Sequence, residues 1–593
     1  MRRLAVALGT LLAIGGCSAS DAGSASGSGG KGSGGNGTGS GGNGAGTGGK
    51  ASGSGGNGPG TGGSGSGSGG TTGSGGTPVI TLSCNSAALG SPSLRLLTRA
   101  EFQNTLGDVF PEVATQWTAS LPANTISDFG FDNDQSATLG AQQAGAILDA
   151  AQSVATAVTG TALATLLPCS TGAADHACAE TFLAKYGQRL FRRPLTSAEH
   201  DSYLAFFDTS KTKSDFATAL KWMTIGLIQS PNTLYRSEIG ADTGSGTRNL
   251  TPYETVTELA YTYTGSTPTD AQLSLAASGQ LGDLTAMAKS MIATERGKLM
   301  LQHFFEQYFE FANVSSLDKP NIKTFAQVSN DMVAETHAFI DDIVVQKAGG
   351  MKELLTATTT NPSKNLAAYY ATGNAYSGGF PTPSTDYASV TRPAGLGIGI
   401  MAQGAFLAAH ASPTNDSPTK RGLIPYRKFF CKPKLTPPPN VPPLDTTTAM
   451  TNVHTTRDRY EMVHELTQGA TGACAACHKL FDPIGFAFEH FDEGGRYRAK
   501  EGTYDINSSD TAPAADGSTM TFTDEESLMS ALVKQPVIHE CMAAYLATYA
   551  FGSSDACIGA SQVSALQAGS IGIAEAFARL ATEPHFSRRN SAQ

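Results

Sequence analysis

The chain has 593 residues, with 40 Lys and Arg against 50 Asp and Glu, a formal charge of −10 at pH 7. That length exceeds what one hydrophobic core usually organises and predicts several modules. An acidic chain without a Lys/Arg stripe lacks the electrostatic footprint of a nucleic-acid binder. Beyond Cys17, no run of about 18 uninterrupted apolar residues offers a membrane-spanning helix.

Arg2 and Arg3 precede an apolar run from Leu4 to Ile14, and Ile14-Gly15-Gly16-Cys17 closes it with small residues before a cysteine. A short basic region, a short apolar region and small residues are the parts of a secretory signal. The ending resembles a bacterial lipobox, so residues 1–17 are read as a lipoprotein signal peptide and Cys17 as the lipidation site. An ordinary signal peptide with an incidental cysteine is the alternative. Acyl chains on Cys17 would hold the protein on a membrane. The expected location is therefore the bacterial cell envelope: exported and lipid-anchored, at the outer membrane, in the periplasm or on the surface. Residues 18–80 are nearly all Gly, Ser, Thr, Ala and Asn, with Asp21, Lys31 and Lys50 as the charges. Such a segment cannot bury enough apolar surface to offset ordering, and predicts a disordered tether with a mean reach of about 40–45 Å.

The body begins with Thr98 and Glu101 ahead of an apolar-periodic run, a capping-box start for a helix. Thr196 with Glu199 repeats the device, as does Thr251 with Glu254, where Pro252 takes the first helical position. Helical spacing continues over 141–161, 182–190, 216–228, 284–293, 297–311 and 328–346, and β-type alternation is scarce. The fold class predicted is mainly α, a multi-module helical body with the disordered linker before it. The modules are read as 84–165, 169–240 (carrying Arg192-Arg193-Pro194-Leu195-Thr196), 245–375, 390–450 and 451–593. Residues 360–395 read as loop. Gly395-Leu396-Gly397-Ile398-Gly399 has no preceding strand and the wrong spacing for a nucleotide loop, so it reads as a turn into a buried helix. The proline run 437–443 reads as a polyproline-II spacer.

The last module holds Cys474-Ala475-Ala476-Cys477-His478. This is the attachment signature of a c-type haem: two thiols add to the porphyrin vinyls, and the adjacent imidazole ligates iron. With 9 Cys and 11 His in the chain, the pattern would arise by chance with a probability of roughly a few in a thousand. The alternatives are a redox Cys pair and half of a zinc site, but zinc needs about four ligands and no second C-x-x-C or H-x-x-x-H is present. Cys84, Cys169, Cys178, Cys431, Cys541 and Cys557 then remain, an even set that reads as disulfides in an oxidising compartment. Sequence proximity favours Cys169–Cys178 and Cys541–Cys557, with Cys84 and Cys431 left by elimination.

Several stretches together resemble a known group. They are Leu96-Leu97-Thr98-Arg99-Ala100-Glu101-Phe102, Leu190 to Glu199, the segment from His410 to Cys431, Thr456 to Arg459, His464, Cys474 to Phe486, and Phe491 to Arg498. The group comprises secreted multi-module proteins of planctomycetes and myxobacteria built from domain-of-unknown-function families 1587, 1595, 1592, 1588 and 1585. The resemblance implies a cytochrome-c-like C-terminal region within a larger helical extracytoplasmic protein, and no established reaction. This chain departs from the pattern at His490, at Gly552-Ser553 and at Tyr261 to Thr264.

One haem c is the expected cofactor, with Cys474 and Cys477 as thioether sites and His478 on iron. His464 leads as a sixth ligand, with Met520, Met462, His490, Met529, His539, Met542 or an open position as alternatives. Arg457, Arg459, Arg496 and Arg498 are possible propionate contacts, or else salt-bridge partners. Asp482 and Asp492 read as turn caps or arginine partners rather than acids. Leu480, Phe481, Ile484, Phe486, Phe488 and Phe491 offer an apolar wall. No nucleophile–base pair marks a catalytic residue. Three readings follow: electron transfer with an unknown redox partner, a haem-dependent oxidoreductase on an unknown extracellular substrate, and a non-catalytic adhesion or scaffold lipoprotein with a degenerate motif.

Overall fold

Threonine–glutamate pairs start the helices of the body where the sequence places them. In the computed structural model, which describes residues 89–117, 120–172, 174–372, 379–435, 453–468 (side chains as far as 462), 477–553 and 558–591, Thr98 caps α1 (Arg99–Val109) with Glu101 closing the box. The signal, tether and proline-spacer readings lie outside the described residues. Strand β1 (Ser93–Leu96) comes before α1, and α2 (Ala141–Val158) follows. The helix α3 (His176–Phe182) runs through a π-turn, Leu183–Gly187, into Gln188–Phe191. Thr196 and Glu199 box the start of α4 (Ser197–Lys211), and α5 (Phe216–Ile228) packs on α2 and α4.

Strand β2 (Tyr235–Glu238) pairs antiparallel with β1, Arg95 facing Arg236 and Ser93 facing Glu238. After β3 (Thr247–Asn249) comes α6 (Pro252–Thr264), with its predicted box and Pro252 in the first turn. Then follow α7 (Leu284–Ile292), α8 (Glu295–Tyr308) and α9 (Phe325–Ile340), the last continuing as a π-turn over Asp341–Gln346. The predicted loop at 360–395 holds one short helix, Lys364–Tyr370, and a two-residue strand pair. Gly395, Gly397 and Gly399 all have positive φ and lead into the buried α10 (Gly404–Ala409). The later helices are α11 (Pro418–Ile424), α12 (Thr456–Gln468), α13 (Asp482–Phe486), α14 (Val537–Phe551) and α15 (Ile573–Arg579). Strand β4 (Arg588–Asn590) returns to pair with β3.

The fold is mainly α, with small sheets. Residues 77–593 form one unit. An apolar core runs from Phe131 through α6, α8 and α9 to α14, α15 and Phe586. Its centre is aromatic: Phe304 packs against Phe131, Phe305, Tyr308 and Tyr549, and the Tyr263 hydroxyl donates to the Phe577 carbonyl at 2.9 Å. The C-terminal helices are thus seated on the central ones. Among the described residues, no helix is long and apolar enough to cross a membrane.

Cys169 and Cys178 are bonded as expected, but Cys541 pairs with Cys431 rather than Cys557, their Cα atoms 5.6 Å apart. Helix geometry is the reason. At about 1.5 Å per residue, α14 carries the chain well away from Cys541 before it ends, whereas the turn Pro425–Phe429 that packs on α14 delivers Cys431. Cys84 and Cys557 lie outside the described residues.

Candidate haem-attachment site

Two glycines let α11 and α13 touch backbone to backbone. A Cβ on Gly422 would run into the Phe481 carbonyl oxygen, and one on Gly485 into the Pro418 carbonyl oxygen. This close approach brings Thr419, in the first turn of α11, onto the residues that follow the C-x-x-C-H stretch. Its hydroxyl donates to Asp482 Oδ1 at 2.6 Å and lies 3.4 Å from His478 Nδ1. His478 Nδ1–H donates to Asp482 Oδ2 at 2.8 Å, one helical turn away. The Asp482 side chain is 0% exposed and that of His478 33%, so a buried carboxylate fixes a part-exposed imidazole. The ring of Phe481 lies 5.2 Å from that of His478, with Tyr426 on its other side at 5.9 Å.

A second layer holds this pair in place. Arg421, fully buried, donates to the carbonyls of Phe488, Phe491, Leu407 and Asp492 at 2.7–3.3 Å. Asp416, just ahead of α11, takes Arg498 at 2.9 Å and the Thr456 hydroxyl at 3.0 Å, which pins the start of α12. The Tyr460 hydroxyl meets Ser417 Oγ at 3.1 Å. His464 lies on α12, its side chain outside the described residues, as is all of Cys474. Cys477 is described, partly buried and not in a disulfide.

The four arginines proposed for propionates each hold a carboxylate. Arg457 pairs with Asp510 and Glu461 and lies over the Phe486 ring, Arg459 pairs with Glu501, Arg496 with Asp492, and Arg498 with Asp416. Of the apolar wall, Ile484, Phe488 and Phe491 belong to the body's core, and Phe481 is the ring against His478. The alternative ligands are mostly committed elsewhere. Met520 sits in a strand and, with Met529 and Met542, is packed in the core. His490 Nδ1 bonds the Arg498 carbonyl at 2.9 Å, and His539 is buried on α14. Met462 is half-buried on α12.

Comparison with family models places four modules along the chain. They are the protein of unknown function DUF1587 (PSD3) at residues 95–160, DUF1595 (PSD5) at 178–238, DUF1592 (PSD4) at 250–371 and DUF1588 (PSCyt3) at 398–501. These four stretches of the chain each match a family of unknown function. Four of the five families expected from the motifs are therefore present, and Thr419, His478 and Asp482 all fall within the DUF1588 module. No curated protein and no solved structure shows significant similarity.

The donor chemistry of the DUF1588 module fits a c-type haem. An unpaired thiol at Cys477 precedes an imidazole whose Nδ1 is taken by a carboxylate, the tautomer in which Nε2 could serve as a metal donor. Among the described residues no cluster of three or more His, Cys, Asp or Glu is arranged to hold a metal ion.

Lys420, Leu423 and Ile424 of α11 line an open cavity of about 460 Å³ together with Glu306, Glu310, His410 and Arg427. His410 is buried and donates Nε2–H to the Phe309 carbonyl at 2.7 Å; burial holds its pKa down to about 4. Glu306 accepts from His303 and His337 at 3.3 and 2.8 Å. Burial opposes the charge on His303, but hydrogen bonds to Asp132 and Glu306 outweigh it and raise the pKa to about 10. Burial likewise opposes charge on Glu306, yet bonds from His303 and His337 lower it to about 2. The His303 contribution to stability is therefore complete below its unfolded pKa, about 6.5, and is lost as pH rises through about 10. That of Glu306 is complete above its unfolded value and lost as pH falls through about 2. Thermal unfolding of His303→Gln against the parent should show a gap that narrows steadily between neutral pH and about 10. A gap independent of pH would contradict the pairing.

Proposed function

We propose that the protein is an exported, lipid-anchored c-type haem protein that transfers electrons. One haem c is carried on Cys474 and Cys477, with His478 on iron and His464 as the first sixth-ligand choice. The observation that carries this reading is the His478–Asp482 pair, with His478 following the free Cys477 directly in sequence. It is the carboxylate–histidine arrangement that orients metal-bound imidazoles in general. Bound there, haem would supply a one-electron couple, while the chain supplies attachment, orientation and a wall at Phe481. The membrane is reached through lipid on Cys17. Electron transfer implies a redox partner, whose identity this reading leaves open, and nucleic acid has no place in it.

The test is expression in a host competent in cytochrome maturation, followed by haem staining after denaturing electrophoresis and a pyridine haemochrome spectrum. One covalent haem per chain is expected. Cys477→Ala should retain at most a single thioether, with the haemochrome α-band displaced to match, and Cys17→Ser should move the protein from the membrane to the soluble fraction. Colourless protein with both thiols reactive would overturn the haem assignment.

A second reading, a haem-dependent oxidoreductase, is favoured by the cavity of about 460 Å³ lined by Lys420, Leu423 and Ile424 of α11, the helix whose Thr419 reaches His478. That volume lies in the range of small-molecule sites. Carbon monoxide binding to the reduced protein, with an open iron, would favour this reading over the simple carrier.

A further inference from the structure

Asp482 and Thr419 are absorbed by no sequence motif for haem attachment, yet they meet at the imidazole proposed to hold iron. We infer that they form a positioning and tuning device for His478, an inference that rests on the haem reading above. Asp482 is fully buried, so its charge is not screened by water. It accepts from His478 Nδ1–H at 2.8 Å, and Thr419 donates to its other oxygen at 2.6 Å. The threonine comes from a different helix, held against α13 by the mutual contact of Gly422 and Gly485. The carboxylate is therefore locked from both ends, by the ring it orients and by a hydroxyl that fixes its rotation.

A strong anionic acceptor on Nδ1 gives the imidazole more imidazolate character and makes Nε2 a stronger donor. That stabilises the more highly charged ferric iron over ferrous and lowers the reduction potential. The pair biases the centre towards giving electrons up. It also fixes the ring plane, which a lone histidine on a surface turn would not. Thr419 donates to the same carboxylate and draws part of its charge away from the ring, so losing the hydroxyl should act in the opposite sense to losing Asp482, and by less.

The experiment is spectroelectrochemical titration of the purified full-length protein, haem content being measured first. Asp482→Asn is expected to favour reduction at least tenfold, which for one electron is about 59 mV. Thr419→Val should shift the potential the opposite way, by a few-fold, and Thr419→Ser, which keeps the hydroxyl, should keep the parent value. The iron–histidine stretch of the reduced form, where five-coordinate, should fall in frequency in Asp482→Asn. Parent protein without haem would overturn the haem reading itself. Parent protein with haem, and an Asp482→Asn potential equal to it, would overturn this inference alone. If Asp482→Asn fails to mature, the Thr419 pair decides: equal potentials for Val, Ser and parent count against the device.

Discussion

Gly422→Ala is expected to destabilise the protein by about 3 kcal/mol or more, at the upper end of the cost of overpacking. The added methyl would overlap a backbone carbonyl, that of Phe481, with the Gly485 nitrogen 3.0 Å away. A flexible side chain can swing aside; a carbonyl at the start of a helix cannot move without its helix. The partner contact, Gly485 against Pro418, has the same character, so Gly485→Ala should cost a similar amount. The strain falls where Thr419 reaches Asp482 and where Arg421 ties α11 to the carbonyls of Phe488 and Phe491. Haem content should therefore fall together with the thermal midpoint. Gly145→Ala is the control: it lies within α2, nothing stands within 4 Å of the added Cβ, and it should stabilise by about 0.4–1 kcal/mol. Circular dichroism melts of these variants check the argument, and a Gly422→Ala midpoint equal to the parent would show that α11 and α13 are not in backbone contact.

How much of this was legible beforehand depends on the range over which each feature is decided. Helix starts are local: Thr98, Thr196 and Thr251 each act on a residue three positions on, and all are capping boxes in the fold. The glycines at 395, 397 and 399 read correctly as a turn into a buried helix, because positive φ is a property of the residue itself. Long-range pairing was not legible. Thr419 and Asp482 are 63 residues apart, and only the closeness of two glycine-bearing helices brings them together. The Cys541 partner was misjudged because chain distance was taken for spatial distance across a rigid helix. Met520 was eligible as an iron ligand by residue type, but alternation along Thr519–Phe522 turns it into the core. The arginines of the last module were legible as charge partners but not as to which carboxylates they take.

Arg236→Met is expected to have the second large effect, because it disarms the charge cluster that binds the modules to one another. Arg236 and Arg95 face each other across the β1–β2 pair, a like-charge opposition that destabilises a ladder unless anions intervene. Three do. Arg236 lies 3.6 Å from Glu238, 3.7 Å from Glu258 on α6 and 3.8 Å from Glu101 on α1, and Glu238 also takes Arg589 of β4 at 2.8 Å. The partners come from the DUF1587, DUF1595 and DUF1592 modules and from the C-terminal strand, so this knot accounts physically for their forming one unit. Burial opposes charge on Glu258, and with Glu238 alongside raises its pKa to about 7 despite Arg236. Removing Arg236 leaves three buried carboxylates facing two cations, and breaking a buried ion pair this way costs about 3–5 kcal/mol. The deficit should be greatest at alkaline pH, where all three carboxyls are charged. It should shrink as pH falls, because the uncompensated carboxyls take up protons in the folded state first. Denaturant unfolding of Arg236→Met from pH 5 to 9 reads both the size and the slope; a small, flat difference would mean that the cluster does not hold the modules together.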